Sequence, residues 1–223
     1  MNAPLEYYDL SYIAYKRIKS MILENKLAPG EKIIQEKLAA ELGVSRMPLH
    51  KAFQRLENEM LVEHVPRKGI FVRTINHQEI ADAFECREVI ECLAVRRAAV
   101  NLSEKDIQFL YKLFAPFAKN PEAADLMKYE EADFIFHNTI LQKSGNKILL
   151  KMEMLSNVIT RTYQTGLIRN PGETFIEHMA IIDALACKDV KKAESLLKEH
   201  FTRSRNRILD SIKAHDFNLV GVR

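Results

Sequence analysis

Four residues beyond the first third of the chain carry atoms that bind divalent metals. In YEEADFIFHNTI, Asp133 and His137 stand four apart, which puts both on one helix face, as two ligands of a single ion must be. His178 in FIEHMAIIDAL and His200 in LLKEHFTRSR each fall at the edge of an apolar helix face. Taken one at a time, each histidine reads as a core or surface residue hydrogen-bonded to backbone, and a polar i,i+4 pair as a solvated contact. One carboxylate and three imidazoles suit a borderline divalent ion such as zinc, nickel, manganese or iron, with open positions if the geometry exceeds four-coordinate. A metal-dependent hydrolase would also need a base beside an activated water. Glu177, next to His178, is the sequence-local candidate, although adjacent helical residues point about 100 degrees apart.

A different chemistry occupies LAAELGVSRMPLHKAFQRLENEMLVEHVPRKGIFV, residues 38–72. A short helix with Leu38, Ala39 and Leu42 on one face ends at Gly43, a residue able to take the left-handed conformation that stops a helix. Ser45 is a good N-cap for the next helix, and Pro48 falls in its first turn, where a missing N–H costs nothing. There Leu49, Ala52, Phe53, Leu56 and Met60 form the expected buried stripe, which turns Arg46, Met47, His50, Lys51, Gln54 and Arg55 outward. Such a pair of helices with a basic, hydrogen-bonding outer face is a helix-turn-helix whose second helix enters the major groove. Arg46 can bridge guanine O6/N7 or a phosphate, with His50 and Gln54 further along the same face. The alternation of LVEHV and IFVR around PRKG then predicts a two-stranded wing, and Arg67, Lys68 and Gly69 at its tip approach the backbone or minor groove. The competing reading is an ordinary three-helix bundle with a solvated basic face.

The elements that position these groups follow from periodicity. Apolar residues from Leu10 to Leu23 keep a helical period up to the break at Pro29 and Gly30. After the polar joint RTINHQ, helices are expected over 77–100, 106–118 behind a Ser103/Asp106 capping box, 123–144, 147–165, 173–187 and 190–215. The chain therefore reads as mainly α, with a winged helix-turn-helix over residues 1–75 and an antiparallel helical bundle over 76–223. Its 223 residues, 47% of them hydrophobic, suffice for two cores. Net charge is only +3, but residues 1–75 hold twelve Lys and Arg against nine Asp and Glu, while 76–223 hold twenty-one of each. The whole excess thus lies in the part expected to meet a polyanion. The start MNAPLEYYDL lacks signal-peptide character, and no window approaches the roughly 18 apolar residues of a membrane span. The odd set Cys86, Cys92 and Cys187 contains no CxxC pair. A soluble cytoplasmic protein that engages no membrane is expected.

The first third resembles the winged helix-turn-helix of the GntR family of bacterial regulators, whose recurring pattern is LA..LGVSR.P...A...L...GLV......G.FV. Leu38, Ala39, Leu42, Gly43, Val44, Ser45, Arg46, Pro48, Ala52, Leu56, Leu61, Val62, Gly69, Phe71 and Val72 match it. Two DNA-facing positions depart: His50 stands where the family usually has arginine, and Met47 where it has a small polar residue. From Ile80 to Ile208 the chain is similar to the FCD ligand-binding domain of the fatty-acid-regulator subfamily, through R..IE...A..AA, D..FH..I...SGN..L and EH..I..A....D...A......H. That resemblance implies that Asp133, His137, His178 and His200 are ligands of one metal whose coordination a small organic acid completes. It also makes Arg87 a candidate partner for the acid's carboxylate, with a structural ion pair to a neighbouring helix as the equal alternative.

The function implied is a homodimeric transcription repressor whose binding to a double-stranded DNA operator is modulated by a small carboxylate effector at the metal site. The alternatives are a regulator for which the divalent ion is itself the signal, an apolar pocket that binds an acyl chain without metal, and the hydrolase.

Overall fold

The computed structural model describes residues 9–153 and 168–214. They form two compact units, Met1–Ile75 and Asn76–Arg223.

In the first unit, α1 (Leu10–Leu23) is capped by Asp9, whose carboxylate accepts from the N–H groups of Ser11 and Tyr12. It packs on α3 (Arg46–Asn58). Between them α2 (Gln35–Leu42) ends at Gly43 with φ +65, and the Gly43 N–H closes on the carbonyls of Ala39 and Ala40. Ser45 has the extended backbone of an N-cap, yet its side chain makes no capping hydrogen bond. Leu49, Ala52, Phe53 and Leu56 are buried as the stripe requires. Met60 does not extend that stripe, because α3 stops at Asn58 and Met60 takes a left-handed φ of +59 in the turn that follows.

The wing is larger than a hairpin. β2 (Val62–Val65) and β3 (Gly69–Val72) pair antiparallel, and β1 (Lys32–Ile33) joins the other edge of β3, with Ile33 opposite Ile70. A two-residue strand is too short to show alternation, so β1 was not legible in the sequence. At the tip Pro66 sets the first corner and Arg67 takes φ +63, a left-handed turn residue closed by the Lys68 N–H on the Val65 carbonyl.

The second unit contains helices and no strand among its described residues. α4 (His77–Asn101) opens with a reciprocal capping box between Asn76 and Glu79, and α5 (Glu104–Phe114) with one between Ser103 and Asp106. Short 3-10 turns at Ala115–Phe117 and Pro121–Ala123 lead to α6 (Leu126–Lys143), which starts later than expected because Asp125 is its cap. Residues 147–153 are helical, and the remainder of the helix expected over 147–165 lies outside the described residues. The helix expected over 173–187 starts two residues earlier, because Pro171 and Gly172 are the first two residues of α7 (Pro171–Ala186), where the missing proline N–H is no loss. α8 (Val190–Ala214) packs along α4 and α7, while α4 also packs on α6 and α5 on α7. This brings α4, α6, α7 and α8 around one core that contains Phe84, Phe114, Tyr129, Phe136 and Phe201.

Candidate metal centre and nucleic-acid interface

Asp133 and His137 point from one face of α6, His178 from α7 and His200 from α8. One ligand atom from each of the four lies within 4.8 Å of the others. Donors bound to one ion at about 2.1 Å stand about 3–4.2 Å apart, so a small closure of the side chains brings the set onto a metal. The histidines are 2%, 0% and 5% exposed in chain order, while the Asp133 side chain keeps 24%, which makes it the member nearest to solvent.

Each imidazole is braced through Nδ1. His137 Nδ1 lies 2.6 Å from Glu91 Oε2, His200 Nδ1 lies 2.8 Å from Glu177 Oε2, and His178 Nδ1 lies 3.2 Å from the Tyr129 hydroxyl. A carboxylate only accepts, so the rings of His137 and His200 donate from Nδ1 and keep the Nε2 lone pair for a metal. His178 Nε2 is buried and has no hydrogen-bond partner among the described residues; it sits 3.2 Å from Asp133 Oδ1 without the alignment of a hydrogen bond. An orphaned ring nitrogen aimed at a carboxylate and two further imidazoles is what a divalent ion would satisfy. The donor set fits a borderline metal.

Electrostatics agree with that arrangement. Burial keeps His137 well below its ordinary value and His200 down at about 3, so both rings are neutral at physiological pH.

Glu177 is not free to act as a hydrolytic base. It receives both Nη groups of Arg169 and, at 2.8 Å, Nη1 of Arg203, besides His200 Nδ1. Burial would raise its carboxyl, but Arg169 and His200 keep it well below the usual range. It therefore braces the far side of the His200 ring. Arg87 is buried and ion-paired: Nη2 is 2.9 Å from Glu91 Oε1 and Nε is 3.0 Å from Glu153 Oε1. Since Glu91 holds His137 with its other oxygen, Arg87 stands in line behind the ligand set. The contacts of Glu91 with His137, Tyr129 with His178, Glu153 with Arg87 and Arg169 with His200 carried no legible signal, because they span 31 to 66 positions and only packing selects them.

In the first unit Arg46, Met47, His50, Lys51 and Gln54 are all exposed on α3, as are Arg67 and Lys68 at the wing tip, with Gly69 half-buried beside them. An ion pair on this face, Arg46 Nη2 to Glu36 Oε1 at 3.7 Å, joins two largely exposed side chains and holds Arg46 weakly.

A winged helix-turn-helix followed by a separate helical unit is the architecture of a DNA-binding transcription regulator. Residues 11–72 match the bacterial regulatory proteins of the gntR family and residues 77–203, more than half of the chain, match the FCD domain. The chain belongs to the GntR family, in its FCD-containing branch, and not to an enzyme family. It is 27% identical over 195 residues to the Nta operon transcriptional regulator of Aminobacter aminovorans, covering 86% of this chain and 91% of that protein. It is 25% identical over 189 residues to the HTH-type transcriptional repressor RspR of Escherichia coli, covering 83% of each. Among solved structures, a GntR transcriptional regulator from Rhodococcus sp. RHA1 superposes with a TM-score of 0.69 at 22% identity over 90% of this chain and 98% of that one. E. coli McbR/YncC superposes with a TM-score of 0.66 at 22% identity over 91% and 98%. At that identity the likeness is one of fold. Among the described residues no helix is long and apolar enough to cross a membrane.

Proposed function

We propose that this GntR regulator is a homodimeric repressor whose operator affinity is set by a small carboxylate bound at a divalent metal held by Asp133, His137, His178 and His200. The observation that carries this reading is the convergence of four ligand atoms from three helices within 4.8 Å, with the Nε2 of His178 buried and unpartnered. Zinc, nickel, manganese and iron all suit the donor set. When bound, the ion supplies positive charge and open positions for an anionic oxygen. The chain's own residues do the rest: Glu91, Tyr129 and Glu177 orient the imidazoles, and Arg87 stands behind them as the candidate guanidinium for the effector's carboxylate.

On the DNA side, α3 enters the major groove with Arg46, Met47, His50, Lys51 and Gln54 toward bases and phosphates, and Arg67, Lys68 and Gly69 of the wing meet the backbone or minor groove. A dimer places two such helices on successive half-sites. That two relatives carry the names operon regulator and repressor supports the assignment. The effector works only through unequal affinity for the DNA-competent and incompetent dimers.

The test is thermal unfolding of the purified chain, metal-loaded and chelator-stripped, against a panel of mono-, di- and hydroxycarboxylates. A specific ligand at a hundredfold excess over Kd stabilises by about 2.7 kcal/mol, well within reach of a melting experiment. One acid raising the melting temperature only with metal present is the expected result. Stabilisation by metal with no further gain from any acid would replace the carboxylate by the ion itself as the signal.

A further inference from the structure

Glu153 is 1% exposed, yet it is poorly satisfied. Its Oε1 lies 3.0 Å from Arg87 Nε, a donor that Glu91 Oε1 also takes at 3.2 Å, and its Oε2 is buried with no hydrogen-bond partner among the described residues. Glu91 by contrast holds the Nε and Nη2 edge of Arg87 with one oxygen and His137 with the other. A carboxylate taken out of water for one shared donor has lost hydration without the paired hydrogen bonds that offset it.

Charge makes the same point. Arg87 is ion-paired to both Glu91 and Glu153, so one guanidinium is shared by two acids. A divalent ion at the four-residue cluster would offset the charge of Asp133 and the surplus of that pair. A carboxylate arriving from outside then adds an uncompensated buried charge unless a resident acid leaves. Asp133 belongs to the ligand set and Glu91 is held from both sides. Among the described residues Glu153 is held least.

We propose that Glu153 is an internal stand-in for the effector's carboxylate, resting on Arg87 in the ligand-free protein and displaced when an external carboxylate binds. The inference rests on the carboxylate-effector reading for its purpose, but its geometry concerns Arg87 and Glu153 alone.

The experiment is acetate titration of full-length wild type and Glu153→Ala, followed by thermal unfolding at constant ionic strength, metal-free and zinc-loaded, with acetamide as the neutral isostere. Glu153→Ala is expected to gain a saturable acetate-dependent rise, about elevenfold in the folding constant at ten times Kd. Wild type should show at most a tenth of that affinity, and acetamide should do nothing. An acetate response equal to that of wild type, or matched by acetamide, overturns the stand-in. If Glu153→Ala does not fold, Glu153→Gln keeps the volume and removes the charge: zinc-loaded, it should bind acetate about tenfold tighter than wild type, and equal affinity overturns the proposal. A response in metal-free Glu153→Ala, with no acid of the panel stabilising zinc-loaded wild type, keeps the stand-in and removes the effector reading.

Discussion

Asp133 Oδ1 and His178 Nε2 lie 3.2 Å apart, one on α6 and the other on α7, in contact but not hydrogen-bonded. The contact joins the pair of candidate ligands that α6 carries by itself, Asp133 and His137 one turn apart, to His178 on α7. His178 is locked in place by its ring stacking on Phe114 at 4.7 Å between centroids.

His178→Ala should therefore weaken metal binding by more than the roughly 10–100-fold typical of losing an outer-shell residue. Competition titration against a chromophoric chelator measures this. Wild-type occupancy at wild-type affinity would remove His178 from the ligand set.

Glu91→Gln should lower metal affinity by about 10–100-fold while leaving one site per chain. The amide still fills the space beside His137, but it no longer fixes the Nδ1–H tautomer by charge. The same titration with an unchanged affinity would show that Glu91 serves Arg87 alone.

Asp106 ties α5 to α6 through Lys143 Nζ at 2.7 Å and completes the α5 cap. Lys143, then the Ser103 contacts, lower its carboxyl to about 2 from an ordinary 3.8. A depressed carboxyl contributes stability that is present above the unfolded value and lost as pH falls through the folded one. Asp106→Asn should thus cost about 1 kcal/mol at pH 7, mostly as cap and little as surface ion pair. The gap between variant and wild-type melting temperatures should shrink between about pH 4 and 2. A gap that widens on acidification contradicts the assignment.

Arg46→Ala should weaken operator binding by about 1–3 kcal/mol if it bridges a guanine and so narrow the gap between operator and scrambled DNA, with the fold intact by circular dichroism. Fluorescence anisotropy on operator and scrambled duplexes reads this directly. Unchanged operator affinity would take Arg46 out of the interface.

Lys68→Ala at the wing tip should behave differently, weakening operator and scrambled DNA alike and reducing the slope of log affinity against log salt by about one. A loss confined to the operator would make Lys68 a base reader.

Much of this protein is local and so legible in the linear chain. The helix-turn-helix rests on a helical period, a left-handed glycine at Gly43 and an exposed basic face on α3, all of which act within a few residues. The Ser103/Asp106 box is likewise readable because its two hydrogen bonds close over three positions. Boundaries failed where a cap competed with a breaker: Asn170 turned Pro171 and Gly172 into the start of α7, and Asp125 delayed the start of α6.

The architecture, the exposed basic face of α3 and the four residues with metal-binding atoms were legible in the linear chain, since periodicity, capping and residue type are properties of short segments. Only the tertiary structure decided that those four atoms meet, that Glu91, Tyr129 and Glu177 orient the rings, and that Arg87 is shared with Glu153. The physical reason is that hydrogen bonds and ion pairs between helices are fixed by how the apolar faces of α4, α6, α7 and α8 pack. Nothing in the spacing of Glu91 and His137, 46 positions apart, foretells a contact of 2.6 Å.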